Sequence, residues 1–340
     1  MVARRSRLNS ARAVKIRGPF VGRRITLAFF DTIPVLVVFT HKMNRSIVTT
    51  ANSNGIDGSC LPLVNCPTEN AQILVGLLFD IDDTFTYQGK MIPSAYQSLW
   101  KLKDHGLKLA AVTGRSAGWC DHMARLWPVD AVIGENGGFY FYMDQNNQVL
   151  VKHFMDNEET RAVQRRQLQI ILKEILNEIP EASPASDQPY RETDIGIDFS
   201  EDVTKLSAAE VAEIKDIFER NKAKATISSI HVNAHLGKHD KLATSIIMAR
   251  NLWGIDLAAN PHSFAFCGDS ANDEIMFRHF PLSFGVRNVQ NFYGLMTYLP
   301  AFVAEKEGGH GFQEIAEIIL KGRSQLHHDF CAFFGKLALP

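Results

Sequence analysis

From residue 71 onward the chain repeats one pattern: an apolar run of four to eight residues, a turn, an amphipathic stretch, then another apolar run. Residues 73–79 predict a buried strand. Residues 93–105 predict a helix, with Pro93 in its first turn, Leu99 and Leu102 at helical spacing and Gly106 past its end. A strand over 107–112, a helix over 117–126 and a strand over 131–133 follow. Such alternation predicts parallel strands joined by crossover helices, an α/β fold with a Rossmann-like parallel sheet.

After Gly137 and Gly138 the rhythm changes. A hairpin is expected over 139–151, around the turn-prone Asn146 and Asn147. A long charged helix over 158–179, a Pro/Ser/Ala loop over 181–189 and an alternating strand over 194–199 come next. An amphipathic helix over 207–221 and a strand over 226–235 complete what reads as an inserted α+β module, its sheet wet on one face. Past Lys241 the first rhythm resumes, with helices over 241–252, 271–279 and 312–320 and strands over 263–267, 283–286 and 301–304. The expected organisation is a basic extension over 1–70, a core over 71–143 and 236–322, a cap over 144–235 and a tail over 323–340.

A chain of 340 residues with 46% hydrophobic and 21% charged residues can bury a sizeable core in one to two domains. Its net charge of -1 hides an asymmetry. Residues 1–70 hold ten Lys/Arg against Asp31, Asp57 and Glu69, which leaves 26 basic and 34 acidic residues of the totals of 36 and 37 for the rest. An acidic body argues against nucleic acid as a partner, since sequence-independent binding needs a basic footprint. Cysteines 60, 66, 120, 267 and 331 form neither a disulfide framework nor a CxxC zinc spacing, so reducing, cytoplasmic surroundings are expected. The Arg-rich head is open to several readings: an organelle-targeting presequence, a disordered extension, or upstream sequence before a start at Met43 or later. Its apolar stretch over 25–39 is interrupted by Asp31 and Pro34 and falls short of the roughly 20 residues of a membrane helix, so no membrane span is expected.

Candidate chemistry begins at Asp80-Ile81-Asp82-Asp83-Thr84, directly behind the first core strand. Strand alternation puts Asp80 and Asp82 on one face, and Thr84 and Gly89 permit a turn that aims both into a cleft. Like charges this close call for a cation, a proton or a catalytic task; the plain alternative is an aspartate-rich loop capping a helix. Thr113-Gly114-Arg115 ends the second strand with a hydroxyl and a glycine that lets backbone N–H groups approach an anion. Lys241 opens a core helix, and Gly268-Asp269-Ser270-Ala271-Asn272-Asp273 ends another strand with a second acidic pair. Each segment alone is ordinary. Their order, each at an element edge of one α/β domain where strand ends share a crevice, is not.

This ordered set resembles the haloacid dehalogenase (HAD) superfamily over residues 71–322, and the long interval between Thr113 and Lys241 with Glu135-Asn136-Gly137 leading into it resembles subclass IIB, the Cof-type and sugar-phosphate phosphatase-like hydrolases. The turn Gly308-Gly309-His310-Gly311-Phe312 is similar to that group too. Asp83 and Leu242 stand where the family usually has glycine, and Lys238 competes with Lys241 for the third motif. The resemblance implies a phosphatase acting on a sugar phosphate, with Asp80 as nucleophile forming an aspartyl-phosphate and Asp82 as acid and then base. It implies Mg2+ held by Asp80, the Asp82 carbonyl, Asp269 and Asp273, and phosphate bound by Thr113, Gly114 and Lys241, with Asn272 as a further candidate. Substrate choice would fall to the cap, with Asn136, Arg191, His231 and Asn233, and beside them Asp194, Asp198 and His235, as candidates; the ladder His231, Asn233, His235 lacks the carboxylate or cysteine a metal cluster would need. A phosphomannomutase-like phosphotransferase, a catalytically silent regulatory protein of the same fold and a broad housekeeping phosphatase are the competing readings.

Overall fold

In the computed structural model the chain is described over residues 12–16, 24–30, 33–40 and 60–337, with side chains over 60–324. Met1–Thr50 and Ala51–Pro340 form separate compact units. The first holds an antiparallel sheet in the order β1-β2-β3, from Arg12–Ile16, Arg24–Phe30 and Ile33–Thr40. These stretches are regular strands, and the rest of that head lies outside the described residues.

The second unit is built on a nine-stranded sheet in the order β4-β16-β15-β14-β5-β6-β7-β8-β9. Here β4 is Leu61–Pro62, β5 Gly76–Phe79, β6 Lys108–Val112, β7 Ala131–Gly134, β8 Phe139–Asp144 and β9 Val149–Phe154. A four-stranded antiparallel sheet in the order β10-β11-β13-β12 is inserted next, from Ser183–Pro184, Asp194–Asp198, Lys224–Ile227 (β12) and His231–His235 (β13). Then β14 (Phe264–Gly268), β15 (Leu282–Gly285) and β16 (Phe302–Val303) complete the large sheet. The helices are α1 (Thr68–Gln72), α2 (Pro93–Asp104), α3 (Ala117–Leu126), α4 (Glu158–Glu178), α5 (Ala208–Arg220), α6 (Lys241–Trp253), α7 (Glu274–His279) and α8 (Gly308–Leu337). No helix among the described residues is long and apolar enough to cross a membrane.

Strand pleating explains the three layers. Leu77, Phe79, Leu109 and Ala111 point to one face and join a core with Leu99, Leu102, Phe312 and Ile315 from α2 and α8. Leu78, Ala110 and Val112 point to the other and pack with Met248, Ala249 and Phe280 from the α6 side. Burial on both faces is why these strands read as unbroken apolar runs. The inserted module has its own core, in which Ile195, Ile197, Val232 and Ala234 meet Leu168, Ile175, Ile214 and Phe218 from α4 and α5. Ser207 opens α5 with a reciprocal capping box to Glu210, and Asp240 caps α6 by accepting from the Ala243 N–H at 2.7 Å.

Several expectations change. The strand expected over 226–235 is a hairpin, β12 and β13, paired antiparallel with Ile227 opposite Val232, because Ser228–Ile230 makes a turn closed by Ser228 hydroxyl bonds. The hairpin β8–β9 belongs to the large sheet through Val132–Phe141 pairing, and Phe139, Phe141 and Phe154 pack on its core, so the cap begins past residue 154 and not at 144. The core also starts before residue 71, since Leu61 pairs with Phe302. Its last helix runs on to Leu337 through the expected tail. The two central strands of the cap sheet are not wet: every residue of β11 and β13 is buried, polar ones included, and the exposure is confined to the flanking strands β10 and β12.

Candidate active site

Strand order determines which loops meet. The chain leaves β5 toward β6 on one side and returns to β14 on the other, so the carboxyl ends of β5, β6 and β14 flank a topological switch point. Phe79 pairs with Ala111 and with Cys267, which sets Asp80 beside the loops opened by Thr113 and Asp269. The turn after Asp80 folds back on itself, with the N–H groups of Phe85 and Thr86 donating to the Ile81 carbonyl at 2.9 and 3.0 Å. Phe85 anchors it by packing against Phe79 and Phe312, with ring centroids 5.5 and 5.0 Å apart. Gly308, at φ +49, lets α8 start against this turn, where a Cβ would sit 2.4 Å from the Thr86 carbonyl.

At the centre Lys241 Nζ donates to Asp80 Oδ1 and Asp273 Oδ1, both at 2.7 Å, and all three side chains are buried. The other Asp273 oxygen accepts from the N–H groups of Asp269 and Ser270, at 3.0 and 3.4 Å, so Asp273 organises the loop as well as the lysine. Asp269 accepts from the Thr84 hydroxyl at 2.9 Å and the Asn288 amide at 3.1 Å. Oxygens of Asp80, Asp269 and Asp273 lie within 4.8 Å of one another, the one grouping among the described residues able to hold a metal ion. Burial pushes Asp80 well above the ordinary carboxylate range, partly offset by Lys241 and reinforced by Asp273 and Asp82; Asp269 is raised by burial and then by Asp80 and Asp273. Burial opposes the charge on Lys241, but Asp273 and Asp80 outweigh it and hold the ammonium firmly protonated. Three buried carboxylates against one lysine are undercharged by a dication, and an all-oxygen donor set suits a hard one.

The second shoulder is Thr113-Gly114-Arg115. The Thr113 hydroxyl accepts from the Arg115 N–H at 3.1 Å, leaving its own O–H to donate. Arg115 Nε and Nη2 donate to Asp82 at 2.8–3.0 Å, and Nη2 reaches Glu201 of the cap at 2.7 Å. His231 Nε2 lies 3.0 Å from the other Glu201 oxygen, without an aligned hydrogen bond. Burial alone would raise Glu201, but His231 and Arg115 bring it down to about 2. Above Asp80 and Asp82 remains a hollow of about 10 Å³ lined by Gly114, Ser229, His231, Asn233, Ser270 and Asn272. Asn136, at φ +52, accepts from Asn272 at 3.4 Å, and its Nδ2 has no acceptor despite burial.

Most sequence-level candidates thus converge: Asp80, Asp82, Thr113, Gly114, Lys241, Asp269, Asn272 and Asp273 surround one point, with Asn136, His231 and Asn233 at its margin. Arg191 is a correction. Its guanidinium donates to Asp187 at 2.9 Å, Asp194 at 2.8 Å and the Gly114 carbonyl at 3.0 Å, so it pins the cap to the loop after β6. Asp194 is spent on that arginine and on Asn233, and Asp198 accepts three N–H groups of the turn carrying Glu201. His235 stacks on His239 at 4.0 Å, away from the hollow. Lys238 does not enter the site, whereas Lys241 is its buried cation. Sequence reasoning gave no role to Arg115 or Glu135, although each stands in a motif, and missed Glu201 and Asn288, which carry no local signal. Glu135 is the second cap anchor, fully buried, accepting from the N–H groups of Ala117 at 3.0 Å and Glu192 at 2.9 Å and from the Thr193 hydroxyl at 2.6 Å.

The family model of haloacid dehalogenase-like hydrolases matches residues 77–170. A solved structure from Thermoplasma acidophilum aligns at 18% identity and TM-score 0.54, covering 72% of this chain and 98% of that one. The sucrose-phosphatase of Synechocystis, solved with sucrose and phosphate, aligns at 16% and 0.51 over 72% and 98%. A HAD/COF-like hydrolase from Plasmodium vivax aligns at 15% and 0.54 over 75% and 99%. At these identities the likeness is one of fold. No curated protein matches the sequence. Residues 77–170 thus match the haloacid dehalogenase-like hydrolases, and the fold around them is the one these solved structures share.

Proposed function

We propose that this hydrolase cleaves phosphate monoesters of a sugar or sugar derivative through an aspartyl-phosphate on Asp80. The observation that carries the reading is the buried Asp80–Lys241–Asp273 triad beside Asp269 and Asp82, closed over by the cap. Phosphate monoesters hydrolyse extremely slowly unaided, so a catalyst needs a positioned nucleophile and dense charge compensation. An Asp80 oxygen attacks phosphorus as the bond to the leaving oxygen breaks, and Asp82 gives that oxygen a proton. Water then loses a proton to Asp82 and attacks the phosphorus of the aspartyl-phosphate, returning Asp80 as carboxylate and freeing inorganic phosphate. Lys241, the Thr113 hydroxyl and the backbone N–H groups after it hold the phosphoryl oxygens. Arg115 occupies both Asp82 oxygens at rest, so an incoming phosphoryl dianion competes for the guanidinium and frees Asp82 for proton transfer.

A divalent cation, magnesium in the reading from family resemblance, would be held by Asp80, Asp269 and the Asp82 carbonyl, with Asp273 behind them. When bound it neutralises the carboxylates and polarises the phosphoryl group. The hydroxyls and amides of Ser229, Asn233, Ser270 and Asn272 around the hollow suit hydroxyl-bearing substrates, and the sucrose-phosphatase shares the fold. The test is a phosphate-release screen over sugar phosphates with and without Mg2+. Release of inorganic phosphate without a bisphosphate activator is expected; interconversion of sugar-phosphate isomers with no phosphate released would instead identify a mutase.

A further inference from the structure

The two sides of the seam between cap and large domain are built differently. On one side it is pinned by Arg191, Glu135 and Asp187, all buried. On the other it opens into a groove of about 690 Å³, within the range of small-molecule pockets, against about 10 Å³ for the hollow over Asp80 and Asp82. Ser229 lines both spaces, and the inner end of the groove is formed by Asp83, Asp269 and Asn288. The groove therefore starts beside Asp82, where the leaving oxygen of an ester attacked by Asp80 would stand. A body larger than a phosphoryl group fits there, whereas a second cavity of about 610 Å³ beside Arg191 and Asp194 is lined by cap residues alone and includes none of Asp80, Asp82, Asp269 or Ser229.

The lining describes the occupant. Tyr87, Phe199, Val211, Ile227, Phe292 and Leu295 form apolar walls from both domains. Its charged members are the carboxylates of Asp83, Asp269 and Glu307 against Lys205 alone, an environment that disfavours a second anionic group. Resting on the phosphatase reading, we propose that this groove is the leaving-group subsite and that the alcohol it accepts carries an uncharged apolar or aromatic ring, a sugar bearing such a substituent rather than a bare or bisphosphorylated sugar. Flat rings gain from burial against Phe and Tyr side chains, whereas a bare polyol would leave these walls uncovered.

Matched esters test this in the full chain with Mg2+: adenosine 5′-monophosphate against ribose 5-phosphate, and naphthyl phosphate against glycerol 3-phosphate. The ring-bearing member of each pair should have the higher kcat/KM, by about tenfold. Leu295→Glu, at a side chain 65% exposed and so tolerant of change, and Phe292→Ala should each lower that ratio by about tenfold. Equal kcat/KM within the pairs, or a ring preference that survives both substitutions, overturns the subsite while leaving the phosphatase reading intact. Absence of phosphate release from all four esters overturns the phosphatase reading and the subsite with it.

Discussion

Asp80 is 4% exposed and bonded to Lys241, and asparagine keeps its size, so that replacement tests chemistry more than architecture. Asp80→Asn should lower phosphate release by about a thousandfold or more while far-UV circular dichroism stays unchanged; comparable turnover in the variant would remove Asp80 as nucleophile. Asp83 carries a different lesson. It sits at φ +56, a region that suits glycine and that aspartate tolerates through local hydrogen bonding, which accounts for the departure from the usual family residue. Asp83→Gly should leave thermal stability within about 1 kcal/mol, whereas Asp83→Val should cost about 1–2 kcal/mol, read from urea midpoints.

At the level of elements, the loop before β11 and the loop after β7 lock cap to core. Arg191 neutralises Asp187 and Asp194 beside Glu135, which burial and then Asp194 push up to about 7. Arg191→Met strands buried carboxylates and should destabilise by about 3–5 kcal/mol, with hydrogen exchange accelerating in β11 and β13 before the large sheet. The end of β13 holds His235 stacked on His239, facing Lys224, Asp156 and Asp240. Burial, then His239 and Lys224, lower His235 to about 3; burial lowers His239 to about 4 against the opposing pull of Asp156. Both lie below the ordinary 6.5, so the unfolded chain takes up protons first as pH falls. The stability these neutral rings contribute is complete above 6.5 and drains toward pH 4 and then 3, each site costing on the order of 2 kcal/mol by pH 5. Glu135 acts with opposite sign, losing stability as pH rises from 4.5 toward 7. His239→Gln keeps Glu135 and should shrink the drop in urea midpoint between pH 7 and pH 5; an unchanged drop would exclude the histidine pair as its source.

For the molecule as a whole, the uncompensated carboxylates at the switch point couple metal, pH and stability. A divalent cation that binds only the folded chain should stabilise it by about 2.7 kcal/mol at a hundredfold its dissociation constant, seen as a thermal shift with Mg2+ that chelation reverses. Burial raises Asp80 and Asp269, so cation binding displaces protons and its affinity should rise with pH. Asp269→Asn should abolish the Mg2+-dependent shift; a shift that persists would place the ion elsewhere.

The apolar runs and their punctuation by Pro93 and Gly106 were enough to specify alternating strands and helices, because strand pleat and helical period are local properties of the chain. Asp80, Thr113, Lys241 and Asp269 were legible for the same reason: each ends or begins such an element, and parallel strands carry their ends to one edge. Pairing partners were not legible. Hydrogen bonding to β7 assigned the hairpin β8–β9 to the large sheet, and the packing of the cap turned the polar face of β13 inward, toward the core. Arg191 looked like a substrate ligand and is an anchor, while Glu201 gave no sign of reaching Arg115, 86 positions away. Long-range charge pairs of this kind depend on which surfaces meet once the chain has folded, and no period along the sequence encodes that.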